Sequence, residues 1–150
     1  MNIIQSPNID EVKNLIKTKE TSKPIIIQAQ SDLFNRKILE FGHFDMLLGI
    51  EKGNRKRAIR QIDSGFNEVL AKIATKNHIS LGIDLDEIRK MSKKEKSIYL
   101  EKVEQNIKIA RKHKTKIALL NVKDKKDASS FLSSLGASTS QVKQALEQAF

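Results

Sequence analysis

Phe66, Val69, Leu70, Ile73 and Ala74 follow the i, i+3, i+4, i+7, i+8 spacing of a helix with one buried face, and a strand-forming run, Ile79 to Ile83, starts just past Asn77. Ser64-Gly65 suits a tight turn with a side-chain cap ahead of the helix, and Asn77 suits its exit. A helix passing into a strand through so short a loop is the second half of a βαβ unit, because neighbouring parallel strands require a crossover connection. This junction commits the chain to an α/β fold.

The rest of the chain repeats the alternation. Asn2 to Gln5 is a short strand candidate, and Asn8-x-x-Glu11 is a capping-box-like start for a helix to about Lys19. Pro24 leads into a strand at Ile25 to Gln28, followed by a helix over Asp32 to Phe41 that Gly42 stops. Asp45 to Ile50 is apolar on both faces, as a parallel strand covered by helices should be. After the Ile79 strand come a short helix, Leu85 to Met91, and a long one capped by Ser92 and running to His113, with Tyr99, Leu100, Val103, Ile107 and Ala110 as its buried stripe. Lys116 to Leu120 is the next strand, and helices at Asp127 to Leu135 and Gln141 to Ala149 close the chain. Gly and Pro fall between these segments, with no repeat or linker, so residues 1–150 read as one domain. Right-handed crossovers leave an open doubly wound sheet or a barrel as the candidate architectures.

Composition narrows the partners. Lys and Arg number 28 against 18 Asp and Glu, a net charge of +10 that favours polyanions such as nucleic acid, although an anionic membrane surface would attract it too. The longest apolar runs, Ile25 to Ile27 and Met46 to Ile50, are far short of the roughly 20 residues of a membrane span, and the N-terminus resembles no signal peptide, so a cytoplasmic location is expected. The absence of Cys excludes disulfides, thiolate nucleophiles and Cys-based zinc sites.

Loops after the strands of a parallel sheet gather on one rim, and two of them are basic. Lys52, Arg55, Lys56, Arg57 and Arg60 follow the strand ending at Ile50, and Lys123, Lys125 and Lys126 follow the strand ending at Leu120. Both would face the same way as an anion-binding rim; the plain alternative is two solvated loops. Arg55, Arg57 and Arg60 weigh most, because a guanidinium holds a phosphate through two hydrogen bonds. Lys72 and Lys76 share a helix face, with Glu68 one turn earlier placed to pair with Lys72. Asp63 and Asn67 are expected to fix the start of that helix and Gly65 to make a tight turn. Asp84 with Asp86 is a close carboxylate pair at the end of a strand, with Asp86 read as a cap. His43, His78 and His113 stand singly, with no ligand spacing for a metal, and no serine sits in a nucleophile elbow with a placed base.

The run Asp63-Ser64-Gly65-x-Asn67-x-Val69-Leu70-Ala71-Lys72-x-Ala74-x-Lys76-Asn77 closely resembles the signature of ribonuclease P protein component 3, the barrel-shaped subunit of the archaeal and eukaryotic tRNA-processing ribonucleoprotein. Asn35-Arg36 with Leu39-Glu40, Asp45-x-Leu47, Arg111-Lys112-x-Lys114-x-Lys116, and Leu135-Gly136 with Gln141 and Ala145 agree in order, so the resemblance runs from about Pro24 to the end. It implies a TIM-barrel-like fold with parallel strands, related to the PHP-type metal-dependent phosphoesterases. Here the barrel would be incomplete or reduced, because the chain lacks about two strand-helix units at its start. A closed barrel needs about eight strands.

The resemblance further implies a non-catalytic subunit that supports removal of the 5′ leader from precursor tRNA. Divalent metal would work with the RNA subunit and no cofactor would be bound by the protein. The implied partners are ribonuclease P RNA, precursor tRNA and a small protein subunit of ferredoxin-like fold, in a homodimer or heterotetramer and without a membrane. RNA contact is expected at Arg36, Arg55, Arg57, Arg60, Lys72 and Lys76, and a structural role at Asp45, Asp63, Gly65 and Asn67. Where the family commonly has small hydroxyl and glycine residues after a strand, this chain has Asn121-Val122, which leaves that loop without an assigned role. A general RNA-binding protein outside ribonuclease P and a metal-dependent phosphoesterase on a reduced barrel are the rival readings. A shortened barrel should also leave an exposed strand edge or apolar seam near Ile3, Ile4 and Ile25 to Ile27.

Overall fold

A computed structural model describes residues 2–19, 23–52 and 63–150. Strands β1 (Asn2–Ile4), β2 (Ile25–Gln28), β3 (Met46–Leu48), β4 (Ser80–Asp84) and β5 (Ile117–Leu120) form one sheet in the order β1-β2-β3-β4-β5. Every pairing is parallel. Helices α1 (Ile9–Thr18), α2 (Asp32–Phe41), α3 (Glu68–Lys76), α4 (Leu85–Lys90) and α5 (Lys93–His113) lie between successive strands, and α6 (Lys125–Ser134) and α7 (Thr139–Glu147) follow β5.

Strand order equal to chain order decides between the two architectures. A doubly wound sheet reverses its order at a switch point, whereas right-handed crossovers that always step to the next strand keep the helices on one face. The fold is therefore singly wound, the five-stranded arc of a reduced TIM-barrel-like fold.

Alternation along the strands builds two apolar layers. Ile25, Ile27, Leu47, Leu81, Ile83, Ile117 and Leu119 join the main core under the helices, while Ile26, Met46, Leu48, Ala118 and Leu120 form a small cluster on the other face of the sheet. Gly82 lies in this second layer, where a Cβ would come within 2.5 Å of Met46 Sδ and 3.0 Å of Leu48 Cδ1. The missing side chain lets the neighbouring strand's Met fill the space.

The two edges of the sheet differ. β1 has a strand neighbour on one side only among the described residues, and Ile3 is 45% exposed there. The expected seam does not extend to Ile25–Ile27, because β2 is an interior strand and all three side chains are buried. At the far edge, Gln144 on α7 bonds both the N–H and the carbonyl of Ile117 at 3.0 Å. The Phe150 N–H donates to the Leu119 carbonyl at 2.9 Å, and Ala149 bridges Leu119 in parallel.

Some boundaries differ from those read in the sequence. β3 ends at Leu48, and Ile50–Lys52 forms a 3-10 turn instead of more strand. α6 begins at Lys125 with Asp124 as its cap, so Lys125 and Lys126 lie in a helical first turn and not in a loop. Val69 is 51% exposed although its spacing suggested the buried face; Leu70, Ala71 and Ala74 carry the burial. The helix starts only at Glu68, and small alanines bring it close to its neighbours on a narrower stripe than the period allows.

Candidate nucleic-acid interface

The signature segment is built by local capping. Asp63 Oδ1 accepts from the Gly65 N–H at 3.0 Å, and Gly65 adopts φ +82°, a left-handed conformation that favours glycine. Asn67 is the N-cap of α3, with its side chain accepting from the Leu70 N–H at 2.9 Å. The buried Ser64 hydroxyl donates to the Phe66 carbonyl at 3.3 Å. At the other end, the Asn77 amide donates to the Leu39 carbonyl of α2 at 2.7 Å, and Thr75 meets Thr115 at 2.9 Å. Asn77 of the motif thus ties α3 to α2, and Thr75, at an unspecified position within it, ties α3 to the segment that follows α5.

Asp45 has a comparable task between strands. Its Oδ2 accepts from the Ile25 N–H at 2.7 Å while its own N–H donates to the Ile25 carbonyl at 2.9 Å, which locks the start of β2 to β3. Lys23 lies 3.8 Å from its other oxygen.

The cations divide into engaged and unengaged groups. Arg36 is exposed on α2 and paired with Glu40 one turn on at 3.1 Å. Glu68 does not pair with Lys72 as its spacing suggested. It accepts from Lys112 on α5 and lies 3.7 Å from His113, and the Lys112 ammonium holds its carboxyl below the usual range. A tertiary partner on α5 wins over the local one. Lys72 and Lys76 are exposed and make no ion pair among the described residues. Arg55, Arg57 and Arg60 lie outside the described residues.

The rim at the C-terminal ends of the strands is crowded with internal partners. Lys52 donates to Glu87 at 2.8 Å, Arg89 to Asp86 at 2.6 Å, and Lys123 lies 3.7 Å from Asp86. Asp84, not Asp86, is the cap of α4: its Oδ1 accepts from the Asp86 N–H at 3.0 Å and from the Asn121 amide at 2.7 Å. The Asn121-Val122 loop is therefore a lock between β4 and β5. Asn121 lies at φ +61° and its carbonyl accepts from Arg89 at 3.3 Å.

Sequence reading passed over Glu51. Its carboxylate is buried, accepts from the Asn106 amide at 2.9 Å and the Tyr99 hydroxyl at 3.4 Å, and is pushed up from the ordinary carboxyl value by burial. The same burial, with the Glu51 charge beside it, pushes the Tyr99 phenol up. Among the described residues no group of three or more His, Asp or Glu is placed to hold a metal ion, and no helix is long and apolar enough to cross a membrane.

No family model matches the chain. Ribonuclease P protein component 3 of Methanococcus maripaludis strain C7 is 22% identical over 117 residues, covering 77% of this chain and 47% of the relative. The same protein of strain C6 is 23% identical over the same length. The chain spans about half the length of these curated relatives. A chain in the cryo-EM structure of archaeal Ribonuclease P with mature tRNA superposes with a TM-score of 0.80 at 20% identity, covering 97% of this chain and 62% of that one.

Proposed function

We propose that this chain, whose curated relatives and fold agree with the ribonuclease P protein component 3 family, is a non-catalytic protein subunit of ribonuclease P. The observation that carries the reading is the match of nearly the whole chain, 97%, to one chain of an archaeal ribonuclease P. The signature residues support it from within: Asp63, Gly65, Asn67 and Asn77 each make a specific bond or turn that holds α3 in place.

In this role the RNA supplies the phosphodiester chemistry with its divalent metal, and the protein lowers the electrostatic cost of compacting that RNA. A net charge of +10 and exposed lysines such as Lys72 and Lys76, which have no ion-pair partner among the described residues, suit that task, since each neutralised phosphate releases condensed counterions. Precursor tRNA is the substrate of the assembled particle. A small subunit of ferredoxin-like fold is the expected protein partner, and the edge of β1, which has one strand neighbour among the described residues, is a surface suited to assembly.

Equilibrium binding to ribonuclease P RNA, measured against an unrelated structured RNA of equal length across a salt series, tests the reading. The account requires tighter binding to the ribonuclease P RNA. Equal affinity for both would favour a general RNA-binding protein instead.

A further inference from the structure

The end of the sheet opposite the rim carries a row of Lys and His residues. Lys23 precedes β2, His43 precedes β3, His78 precedes β4, Lys116 precedes β5, and Lys76 ends α3 beside them. With strands about 4.8 Å apart, these positions extend across roughly 14 Å. They border two adjoining cavities of about 340 Å³ and about 540 Å³ that share Lys23, Asp45 and His78. Asp45 is the one acidic side chain on either wall among the described residues, and its carboxylate is already engaged by the Ile25 N–H and Lys23. Lys76 and Lys116 have no ion-pair partner among the described residues. The rim contrasts with this, because Lys52, Arg89 and Lys123 there are all paired with carboxylates.

The smaller cavity has a second character. It is lined by Lys116 and His78, by Met46 and Ala118 of the smaller apolar layer, and by Phe150. The Phe150 backbone is fixed by its N–H to Leu119 at 2.9 Å and its carbonyl to Val122 at 3.3 Å, yet the residue is 42% exposed. An exposed aromatic side chain on a fixed backbone, beside a cavity that also holds apolar side chains and lysines, matches what an unpaired nucleotide needs. The base has a ring to stack on and a floor to cover it, and the flanking phosphates meet ammonium groups. A paired base in a duplex is already stacked and has no free face to offer Phe150.

We infer that the N-terminal end of the sheet is a binding groove for single-stranded RNA, with Lys23, Lys76 and Lys116 holding phosphates and Phe150 stacking one base. The inference rests on the reading of the chain as an RNA-binding subunit and places the contact away from the rim.

Two variants separate the parts of the groove. Both are exposed-residue changes whose folding is checked by thermal melting, and both are titrated with a fluorescent oligouridylate, a duplex of equal length and ribonuclease P RNA. The triple change Lys23→Ala, Lys76→Ala, Lys116→Ala should lower the slope of log affinity against log salt by about 2 for the single strand, at roughly 0.7 per lost phosphate contact. Phe150→Ala should weaken single-strand binding by about tenfold, the scale of one lost base stack, while leaving the salt slope and duplex affinity unchanged. Lys116→Arg should bind as the parent does. If both variants bind the oligouridylate like the parent while the parent still selects ribonuclease P RNA, the groove is refuted and the proposed function stands. If Phe150→Ala weakens the duplex equally, the single-strand assignment is refuted. A parent protein that binds none of the three RNAs overturns both readings.

Discussion

The side-chain amide of Gln144 bonds to both the backbone N–H and the carbonyl of Ile117, so a single residue of α7 takes the place of a neighbouring strand at the edge of β5. Its Nε2 also reaches Gln148 Oε1 at 3.0 Å, which ties the end of the helix to the same edge. An open parallel sheet leaves unpaired backbone groups at its edges, and at β5 these meet an amide whose donor and acceptor match those of a peptide group.

Replacing Gln144 by Ala should therefore destabilise the fold by about 1–3 kcal/mol, the cost of leaving partly buried polar groups without partners. Denaturant unfolding would measure the loss, and hydrogen exchange at the Ile117 amide should accelerate beyond the global change. Unaltered stability and exchange would show that water serves the edge equally well.

Glu51 should make stability depend on pH. Burial raises its folded-state pKa above the ordinary 4.5, so as pH rises the unfolded chain releases this proton first. Its contribution is fully present below pH 4.5 and declines as pH climbs through the folded-state value. Glu51→Gln keeps an acceptor for the Asn106 amide and has no charge to bury. The variant should gain stability relative to the parent between pH 5 and pH 8, with the gap closing toward pH 4. Parallel stability curves across that range would contradict the assignment.

Gly82→Ala should cost about 1–3 kcal/mol through overpacking against Met46 and Leu48. Adding Met46→Ala should recover part of the loss, giving a non-additive cycle in thermal or chemical unfolding. Simple additivity would mean that the second apolar layer yields without strain.

Purified protein with magnesium or manganese, free of contaminating nuclease, should leave precursor tRNA intact, because activating water needs a cluster of ligands. Cleavage that disappears on chelation would revive the phosphoesterase reading.

How far the sequence could be read depended on the range of each interaction. The alternation of elements and the junction from Asn77 to Ile79 are local patterns, and they led directly to a parallel sheet with α3 before β4. The Asn67 cap is also local and was readable from its place before the helix. Strand order was not, since periodicity says nothing about which strand lies beside which; the family resemblance supplied the barrel-like choice. Glu68 illustrates the same limit: its i+4 neighbour Lys72 is visible in sequence, but its partner Lys112 lies on another helix. Glu51, between Ile50 and Lys52, has the pattern of a surface turn, and only the packing of α5 with Tyr99 and Asn106 makes it a buried carboxyl. The cationic groove was hidden for a similar reason. Its residues are spread from Lys23 to Phe150 and meet only because each precedes a strand or follows the last helix.

The most direct measurement is the rate of precursor tRNA cleavage by ribonuclease P RNA at limiting magnesium, with and without this chain and with its small ferredoxin-like partner. The account predicts that adding the chain with that partner raises the cleavage rate at the authentic 5′ site and lowers the magnesium required, while the protein mixture alone cleaves nothing. Cleavage by the RNA that is unchanged in rate and magnesium dependence, under conditions where the chain is folded and bound, would contradict it.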